Sequence, residues 1–438
     1  MCARTACPCA YQEHFTAYIE KLARAIAHAD RHAPLRNYCI GLLLPGGRKS
    51  IERLAARLSP GDVRRTHQSL HHLVADSPWD DDRLLAEVRA CVLPAMTAQH
   101  AVVAWVVTNV VFSKQGSHSV GVERQVVAYP PKPQNCQIAV SLAVATEQAS
   151  LPIALRLYLP ESWAHDFERR RRAGVPETVV YQTTVQLALS QIRRALADGV
   201  PQGVVLADAH YGGSSEFRAQ LAHLGLHYVV EIHLSTPVWA PESPHLSNPS
   251  SPLRQAPGHM PLPLLPAWRF AERLPKRAWR KVSWRQEKRR KRRSRFAAVR
   301  VCPGAQDPFQ ARPEPEQWLL IEWPQEAPTP TQCWLSTLPP ETALARLVQL
   351  AKHTWVVARD VDELRSDLGL EHFEGRNWRG FHHHATLCIA AFGFLVMQRS
   401  LWGPSFNRQH LVLSILGTLS AGRSTGTGSS GYGSVNNV

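Results

Sequence analysis

Asp208 is the residue of this sequence whose position best suits it for chemistry. It follows a short apolar run, Val204–Ala207, and precedes the turn Ala209–Gly213. Open α/β enzymes place reactive groups at the carboxyl ends of their strands, and a carboxylate there can hold a divalent cation. Asp208 can equally cap the turn or the helix that follows it. The pattern alone leaves both roles open.

A second candidate site is the segment 374–387, which reads EGRNWRGFHHHATL. Arg376, Arg379 and His382 provide cationic or hydrogen-bonding groups, and Trp378 provides an aromatic face. This combination suits contacts with the phosphates and bases of DNA. A metal cluster of the three adjacent histidines is not expected, because neighbouring residues of a helix point in different directions.

A third stretch ends in residues that are unexpectedly neutral. The apolar, Val-rich run 101–107 predicts a buried strand, and Thr108 and Asn109 follow it. A loop with Lys114 and His118 comes next. The end of such a strand is a common place for catalytic carboxylates, and here there is none.

The composition indicates a globular protein with a polyanionic partner. Of 438 residues 44% are hydrophobic, and 50 lysines and arginines against 35 acidic residues give a net charge of +15. Such an excess favours nucleic acid as the partner. The nine cysteines lack paired zinc spacing, and neither a secretion signal nor a membrane-spanning run is evident. We therefore expect a cytoplasmic, nucleoid-associated protein with no membrane partner.

The elements that position these residues follow from the periodicity of apolar residues. Apolar spacing of three and four predicts helices up to about residue 100, and strands then alternate with helices up to about residue 235. A Pro-rich stretch and candidate antiparallel strands come next. The predicted regions are a helical, DNA-binding domain over residues 1–100, a first α/β region over 101–234, a linker with a β-rich insertion over 235–340, C-terminal helices over 341–400, and a low-complexity tail over 401–438.

Several motifs together resemble the DDE transposases of bacterial insertion sequences, in the group that carries a β-strand insertion inside an RNase H-like catalytic domain. The resemblance extends from about residue 35 to about residue 400, in order and at matching spacing. The resemblance implies an RNase H-like mixed sheet with a helical N-terminal domain and a β-rich insertion. The motifs that carry it include RKSIERLAARL, LHHLVADSPW, FSKQGSHSVGVERQ, NCQIAVSLAVA, GVVLADAHYG, WLLIEWP and GLEHFEGRNWRGFHHHATL.

The resemblance also implies a mechanism, in which two Asp and one Glu hold two Mg²⁺ ions that catalyse phosphoryl transfer at transposon ends. Asp208 matches the second Asp. The first belongs to a segment with two adjacent Asp, which here are Thr108 and Asn109, and we assign the catalytic position to Asn109. The Glu corresponds to Ala358, and the Lys seven residues later corresponds to Arg365.

Only one of the three expected metal ligands is therefore retained. The resemblance implies binding of double-stranded DNA at terminal inverted repeats, as a possible homodimer, with impaired catalysis and weakened Mg²⁺ binding. An active transposase with a relocated acid such as Asp362, or a non-functional relic, are the alternatives. The residues expected to contact DNA are Lys114, Arg365, Arg376, Trp378, Arg379 and His382.

Overall fold

The computed structural model describes residues 8–127, 133–239, 264–287, 290–304 and 314–421. Within these ranges the chain forms two compact units. The first contains the described residues up to Met96, the segment Leu364–Glu374, and the described residues from His383 onward. The second contains Thr97–Glu363 and Gly375–His382.

The amino-terminal portion of the first unit is helical, as the apolar periodicity predicts. In its third helix Leu54, Ala55 and Leu58 are buried, and this spacing places them on one face. The helices are α1 (Pro8–Ala25), α2 (His32–Leu43), α3 (Ile51–Leu58), α4 (Val63–His71) and α5 (Asp81–Thr97).

The second unit is built on a mixed sheet. The Val-rich strand predicted over 101–107 is present as β1, but it begins at Ala104 and continues through Thr108 and Asn109 to Ser113. The strands up to the insertion are β1 (Ala104–Ser113), β2 (Glu123–Val126), β3 (Pro133–Ala145), β4 (Ser150–Leu157), β5 (Val204–Ala207) and β6 (Tyr228–Ile232). The helices between them are α6 (Glu161–Ala164), α7 (Phe167–Arg172), α8 (Thr184–Ala197), α9 (Ala209–Gly212) and α10 (Ser215–His223).

The order of these strands confirms the RNase H-like fold. The sheet runs β4–β3–β1–β5–β6, with short β2 paired to the start of β3. β3 is antiparallel to β1 and β4, whereas β1, β5 and β6 are parallel to one another. The parallel strands bring their carboxyl ends to one edge of the sheet, where Asp208 follows β5.

The predicted β-rich insertion continues this same sheet. β12, β11 and β10 follow β6 in antiparallel order, and β9 pairs with β10. The insertion contains β7 (Pro237–Trp239), β8 (Leu265–Pro266), α11 (Ala267–Arg273), β9 (Arg280–Glu287), β10 (Arg290–Pro303), β11 (Gln317–Trp323) and β12 (Gln332–Ser336).

The helices that follow the insertion begin over the sheet. Val348 of the first of them is buried in one cluster with Ala104 and Val106 of β1 and Leu206 of β5. Apolar contacts thus fix this helix on the face of the sheet that carries those strand residues. The four helices are α12 (Leu344–Ala351), α13 (Thr354–Ser366), α14 (Trp378–Trp402) and α15 (Arg408–Ala421).

The region of α14 is long and apolar enough, by length and composition alone, to cross a membrane. However, 72% of the most apolar window in Trp378–Ser405 is buried inside the protein. Such burial is the pattern of a core helix, which is apolar because it contacts protein on most sides.

The beginning of the predicted tail 401–438 is a helix rather than low-complexity chain. Leu411 and Val412 of α15 are buried, and their apolar contacts account for the helix. Residues 422–438 lie outside the described residues.

A buried ion pair attaches α12 to the strands of the insertion. The Lys352 ammonium lies 2.6 Å from a carboxylate oxygen of Glu322 on β11, and it donates to Gln332 Oε1 at 2.5 Å. It also lies 4.5 Å from the ring centre of Trp334 and 5.3 Å from that of Trp284. Burial lowers the pKa of Lys352, and the nearby Glu322 opposes that shift. The charge is therefore held by a carboxylate and aromatic faces instead of water.

Removing one partner of this pair should destabilise the protein strongly. In Lys352→Ala the Glu322 carboxylate remains buried without its cation, and we expect the free energy of unfolding to fall by about 3–5 kcal/mol. Urea denaturation followed by tryptophan fluorescence measures the loss. The exposed Lys281→Ala is the matched control and should change stability by less than about 0.5 kcal/mol. If both variants lowered the free energy of unfolding by the same small amount, this would contradict the assignment of Lys352 and Glu322 as a buried ion pair.

Candidate functional site

Thr108, in the middle of β1, and Asp208, directly after β5, lie level with each other on neighbouring parallel strands. The register of β1 and β5 pairs Val107 with Ala207, so the next residues, Thr108 and Asp208, are level with each other. Since residues at the same level of adjacent strands share a face, both side chains lie on the face covered by α12. The Thr108 hydroxyl is buried and makes no hydrogen bond to any described residue.

A second carboxylate, Glu231, lies level with Asp208 on the next strand. The register of β5 and β6 pairs Ala207 with Val230, so Glu231 follows on the same face as Asp208. Its carboxylate accepts a hydrogen bond from Gln332 Nε2 at 3.0 Å. Sequence reasoning missed this residue. The signal was present as a single acid in the apolar run Tyr228–Ile232, but only the strand register shows that it neighbours Asp208.

Asn109 lies on the opposite face of β1 from Thr108, because side chains alternate along a strand. Its Oδ1 accepts a hydrogen bond of 2.5 Å from the hydroxyl of Tyr211 in α9. Thr108, and not Asn109, is therefore the residue that shares a face with Asp208. The side-chain oxygen of Asn109 is therefore already used inside the fold.

Asp208 also serves as the amino-terminal cap of α9, the structural role that the sequence left open. Its Oδ1 accepts a hydrogen bond from the backbone N–H of His210 at 3.0 Å. Burial raises the pKa of Asp208, and His210 together with backbone hydrogen bonds partly opposes the shift. Nε2 of His210 lies 2.6 Å from the hydroxyl of Thr184, which begins α8.

The two carboxylates interact electrostatically. Burial raises the pKa of Glu231, while Gln332 and Lys352 oppose this shift and the charge of Asp208 adds to it. Two neighbouring acids that are partly withdrawn from water are costly to ionise together, and a cation between them would relieve that cost. Among the described residues, Asp208 and Glu231 are therefore the two acids at this end of the sheet whose carboxylates are placed to bind a cation.

The third expected position carries no ligand. Ala358 is an exposed residue of α13, and a methyl group cannot bind a metal ion. Asp362, the replacement considered from the sequence, lies one turn further along the same helix and is exposed. Neither Ala358 nor Asp362 places a carboxylate at the position where the resemblance expects the Glu.

Asp360, the nearest buried acid, has a structural role. Its Oδ2 accepts hydrogen bonds from the N–H and the hydroxyl of Ser150, at 2.8 and 2.7 Å, and it pairs with Arg359. The strand registers place Ser150 level with Ala104, at the amino end of β1. Thr108 lies four residues further along, about 13 Å away. Asp360 therefore anchors α13 at the opposite end of the sheet.

These residues do not fit a site for two Mg²⁺ ions. Across the portion of the chain that the structure describes, no three His, Cys, Asp or Glu side chains are arranged to hold a metal ion. Two ions held close together need several carboxylates to offset their charge, and Asp208 with Glu231 supplies two.

The residues predicted to contact DNA differ in exposure and in the unit to which they belong. Arg376 and Arg379 are exposed and Lys114 is half-buried, all in the second unit. Arg365, in the first unit, forms an ion pair of 3.1 Å with Glu371. Glu374, just before this arginine-bearing segment, forms an ion pair with Arg48 at 3.0 Å.

Trp378 and His382 are buried, so a role in contacting DNA does not fit them. They are 9% and 3% exposed. His382 donates from Nδ1 to the Trp378 carbonyl at 2.9 Å and accepts at Nε2 from the Leu157 N–H at 3.3 Å. The physical reason is that the apolar helix α14 begins at Trp378, so both side chains pack inside the protein.

The other two histidines of the triplet also bond within the fold. His383 lies 3.0 Å from the Val74 carbonyl and 2.9 Å from the Trp79 carbonyl, and it stacks on the Trp79 ring. His384 lies 2.9 Å from the Gly369 carbonyl. As expected from their positions on a helix, the three imidazoles serve different segments of the chain.

Comparison with known proteins identifies the class of protein that this fold and site define. Residues 21–291 match the DDE superfamily endonucleases, and the chain belongs to this family. It is 27% identical over 166 residues to a probable transposase for insertion sequence element IS701 from Microchaete diplosiphon. That match covers 38% of this chain and 40% of the relative. A cryo-EM structure of the piggyBac transposase synaptic complex with hairpin DNA aligns with a TM-score of 0.46 and 11% identity, over 97% of this chain and 83% of that one.

Replacing Asp208 with Asn should stabilise the protein near neutral pH. Because the folded state raises the pKa of Asp208, the fold disfavours its ionised form, and this cost is present above the folded-state pKa. Asn keeps the capping hydrogen bond without the charge. We expect the melting temperature of Asp208→Asn to exceed that of the wild type by a few degrees at about pH 7.5, and the gap to shrink towards about pH 4.

The exposed Asp62→Asn is the control for this experiment and should show no such difference. A melting temperature of Asp208→Asn below that of the wild type at about pH 7.5 would contradict the assignment of a desolvated carboxylate.

Proposed function

We propose that this member of the DDE superfamily binds DNA at transposon ends and that its strand cleavage is lost or strongly impaired. One observation carries the proposal. The resemblance places adjacent Asp residues at Thr108 and Asn109, with the catalytic one at Asn109, and the Glu at Ala358. At the level of Asp208, and on its sheet face, β1 presents Thr108, and α13 carries Ala358. Neither side chain can hold a divalent cation as a carboxylate does.

DNA binding is supported by charge and by kinship. The net charge of +15 favours a polyanion, and Arg376 and Arg379 are exposed in the second unit. The match to DDE superfamily endonucleases supports the same partner. Terminal inverted repeats as the bound sequence, a homodimeric state and a nucleoid location belong to this proposal.

A second candidate function, an active transposase with an altered metal site, is favoured by Glu231. Mg²⁺ takes oxygen ligands, and Asp208 and Glu231 would be the residues to hold it, where it would polarise a phosphate oxygen or activate water. Because Glu231 lies level with Asp208 on the neighbouring strand, it is a better candidate for a relocated acid than Asp362, which lies on α13. Loss of any Mg²⁺-dependent activity in Glu231→Gln, but not in Asp362→Asn, is the result expected from this alternative.

The affinity for duplex DNA should fall steeply with salt. Displacement of counterions by about four phosphate contacts predicts a loss of affinity on the order of a hundredfold between about 50 and about 200 mM salt. Fluorescence anisotropy with a labelled duplex that carries the element's own ends measures this. Absence of binding at the lower salt concentration would contradict the proposal and favour a non-functional relic.

The purified protein should not nick such DNA with Mg²⁺ or Mn²⁺. Whether an introduced acid restores nicking should depend on which residue of β1 carries it. We expect Thr108→Asp with Ala358→Glu to recover nicking more readily than Asn109→Asp with Ala358→Glu, because only residue 108 shares a face with Asp208. Gel assays of both double variants and the wild type measure this. Metal-dependent nicking by the wild type, abolished in Asp208→Asn, would contradict impaired cleavage.

A further inference from the structure

The short helix α7 carries four consecutive arginines, and two of them hold the helix in place. The guanidinium of Arg169 stacks on Trp163, 3.8 Å from the ring centre, and donates to the carbonyl of Ser117 at 3.2 Å. Arg170 donates to the carbonyls of Ala164 and Val179, at 3.1 and 2.6 Å. These bonds fix α7 to the loop before β2 and to the chain that follows it.

The outer face of α7 combines an exposed aromatic ring with cations. Phe167 is 66% exposed. Arg171 lies four residues later, on the same face of the helix, and its side chain is 65% exposed beside Glu168. Arg172 is also exposed. An exposed aromatic ring beside cationic side chains provides the two kinds of group that contact bases and phosphates.

The chain after α7 adds further exposed apolar groups. Val180 is 68% exposed and Tyr181 is 38% exposed. The hydrogen bond from Arg170 to the Val179 carbonyl holds this segment against α7. Phe167, Val180 and Tyr181 are therefore presented by neighbouring, fixed segments of chain.

Two more exposed arginines lie beside the end of α7. The backbone N–H of Trp378 donates to the carbonyl of Ala173, the residue that ends α7, at 2.8 Å. Arg376 and Arg379 flank Trp378 in sequence and are exposed. The backbone of Trp378 thus attaches an arginine-bearing segment to α7.

We propose that this α7 surface, formed by Phe167–Arg172, 179–181 and 375–379, contacts nucleic acid. Arg172, Arg376 and Arg379 bind backbone phosphates, and Phe167 stacks on an unpaired base. The proposal rests on the proposed function and adds a site that reads distorted or unpaired DNA. A second copy of this chain is a poor occupant, because pairing two such surfaces would bring arginines against arginines.

Phe167→Ala tests the stacking. The probes are two labelled duplexes of the same length, one fully paired and one with two unpaired thymines at its centre. We expect Phe167→Ala to weaken binding of the unpaired probe by roughly tenfold and binding of the paired probe by less than about twofold. Val126→Ala, which truncates a side chain 69% exposed on β2, is the matched control and should bind both probes as the wild type does.

Arg172→Gln and Arg376→Gln test the phosphate contacts. Each should lower the slope of log affinity against log salt by about one on both probes, whereas Arg124→Gln, an exposed residue of β2, should not. Melting temperatures confirm that the variants fold.

The outcomes separate this inference from the proposed function. If the wild type binds DNA but Phe167→Ala binds each probe as tightly as the wild type does, the α7 surface is wrong and the proposed function stands. If the wild type binds neither probe, both are overturned. A change of sedimentation coefficient in Phe167→Ala without a change in DNA affinity would assign the ring to a protein contact and overturn the inference.

Discussion

The candidate site depends on the register of three parallel strands. Side chains alternate along β1, so a displacement of one residue moves a group from one face of the sheet to the other. The pairing of β1, β5 and β6 places Thr108, Asp208 and Glu231 level with one another on one face, while Asn109 bonds to Tyr211 on the other. Which residues can share a cation follows from this register more than from residue type alone.

The third ligand that the resemblance expects, a Glu at the position of Ala358, is absent, and the contacts that hold α13 explain why no nearby acid replaces it. Asp360 lies two residues from Ala358, but its carboxylate is used to anchor α13 to Ser150. His353, just before α13, lies 2.9 Å from the carbonyl of Thr146, which belongs to the turn that leads into Ser150. A nearby acid with an anchoring role cannot serve as a metal ligand without releasing the helix. Asp360 therefore does not provide the carboxylate that the resemblance expects at the position of Ala358.

Sequence patterns predicted the strands, the β-rich insertion and the position of Asp208, because short apolar runs and turns depend on local residue order. They did not predict the roles of Thr108 and Glu231, which depend on strand pairing between distant segments. Trp378 and His382 were expected to contact DNA because they share one short segment with Arg376 and Arg379. The structure buries them because a long apolar helix begins there.

The central claim is that the DDE scaffold is retained without a site for two metal ions. Titration of the full-length protein with Mn²⁺, followed by electron paramagnetic resonance of the free ion, tests it without requiring any DNA substrate. We expect at most one ion to bind, weakly, and Asp208→Asn to abolish this binding. Stoichiometric binding of two ions per chain, lost in Asp208→Asn, would contradict it.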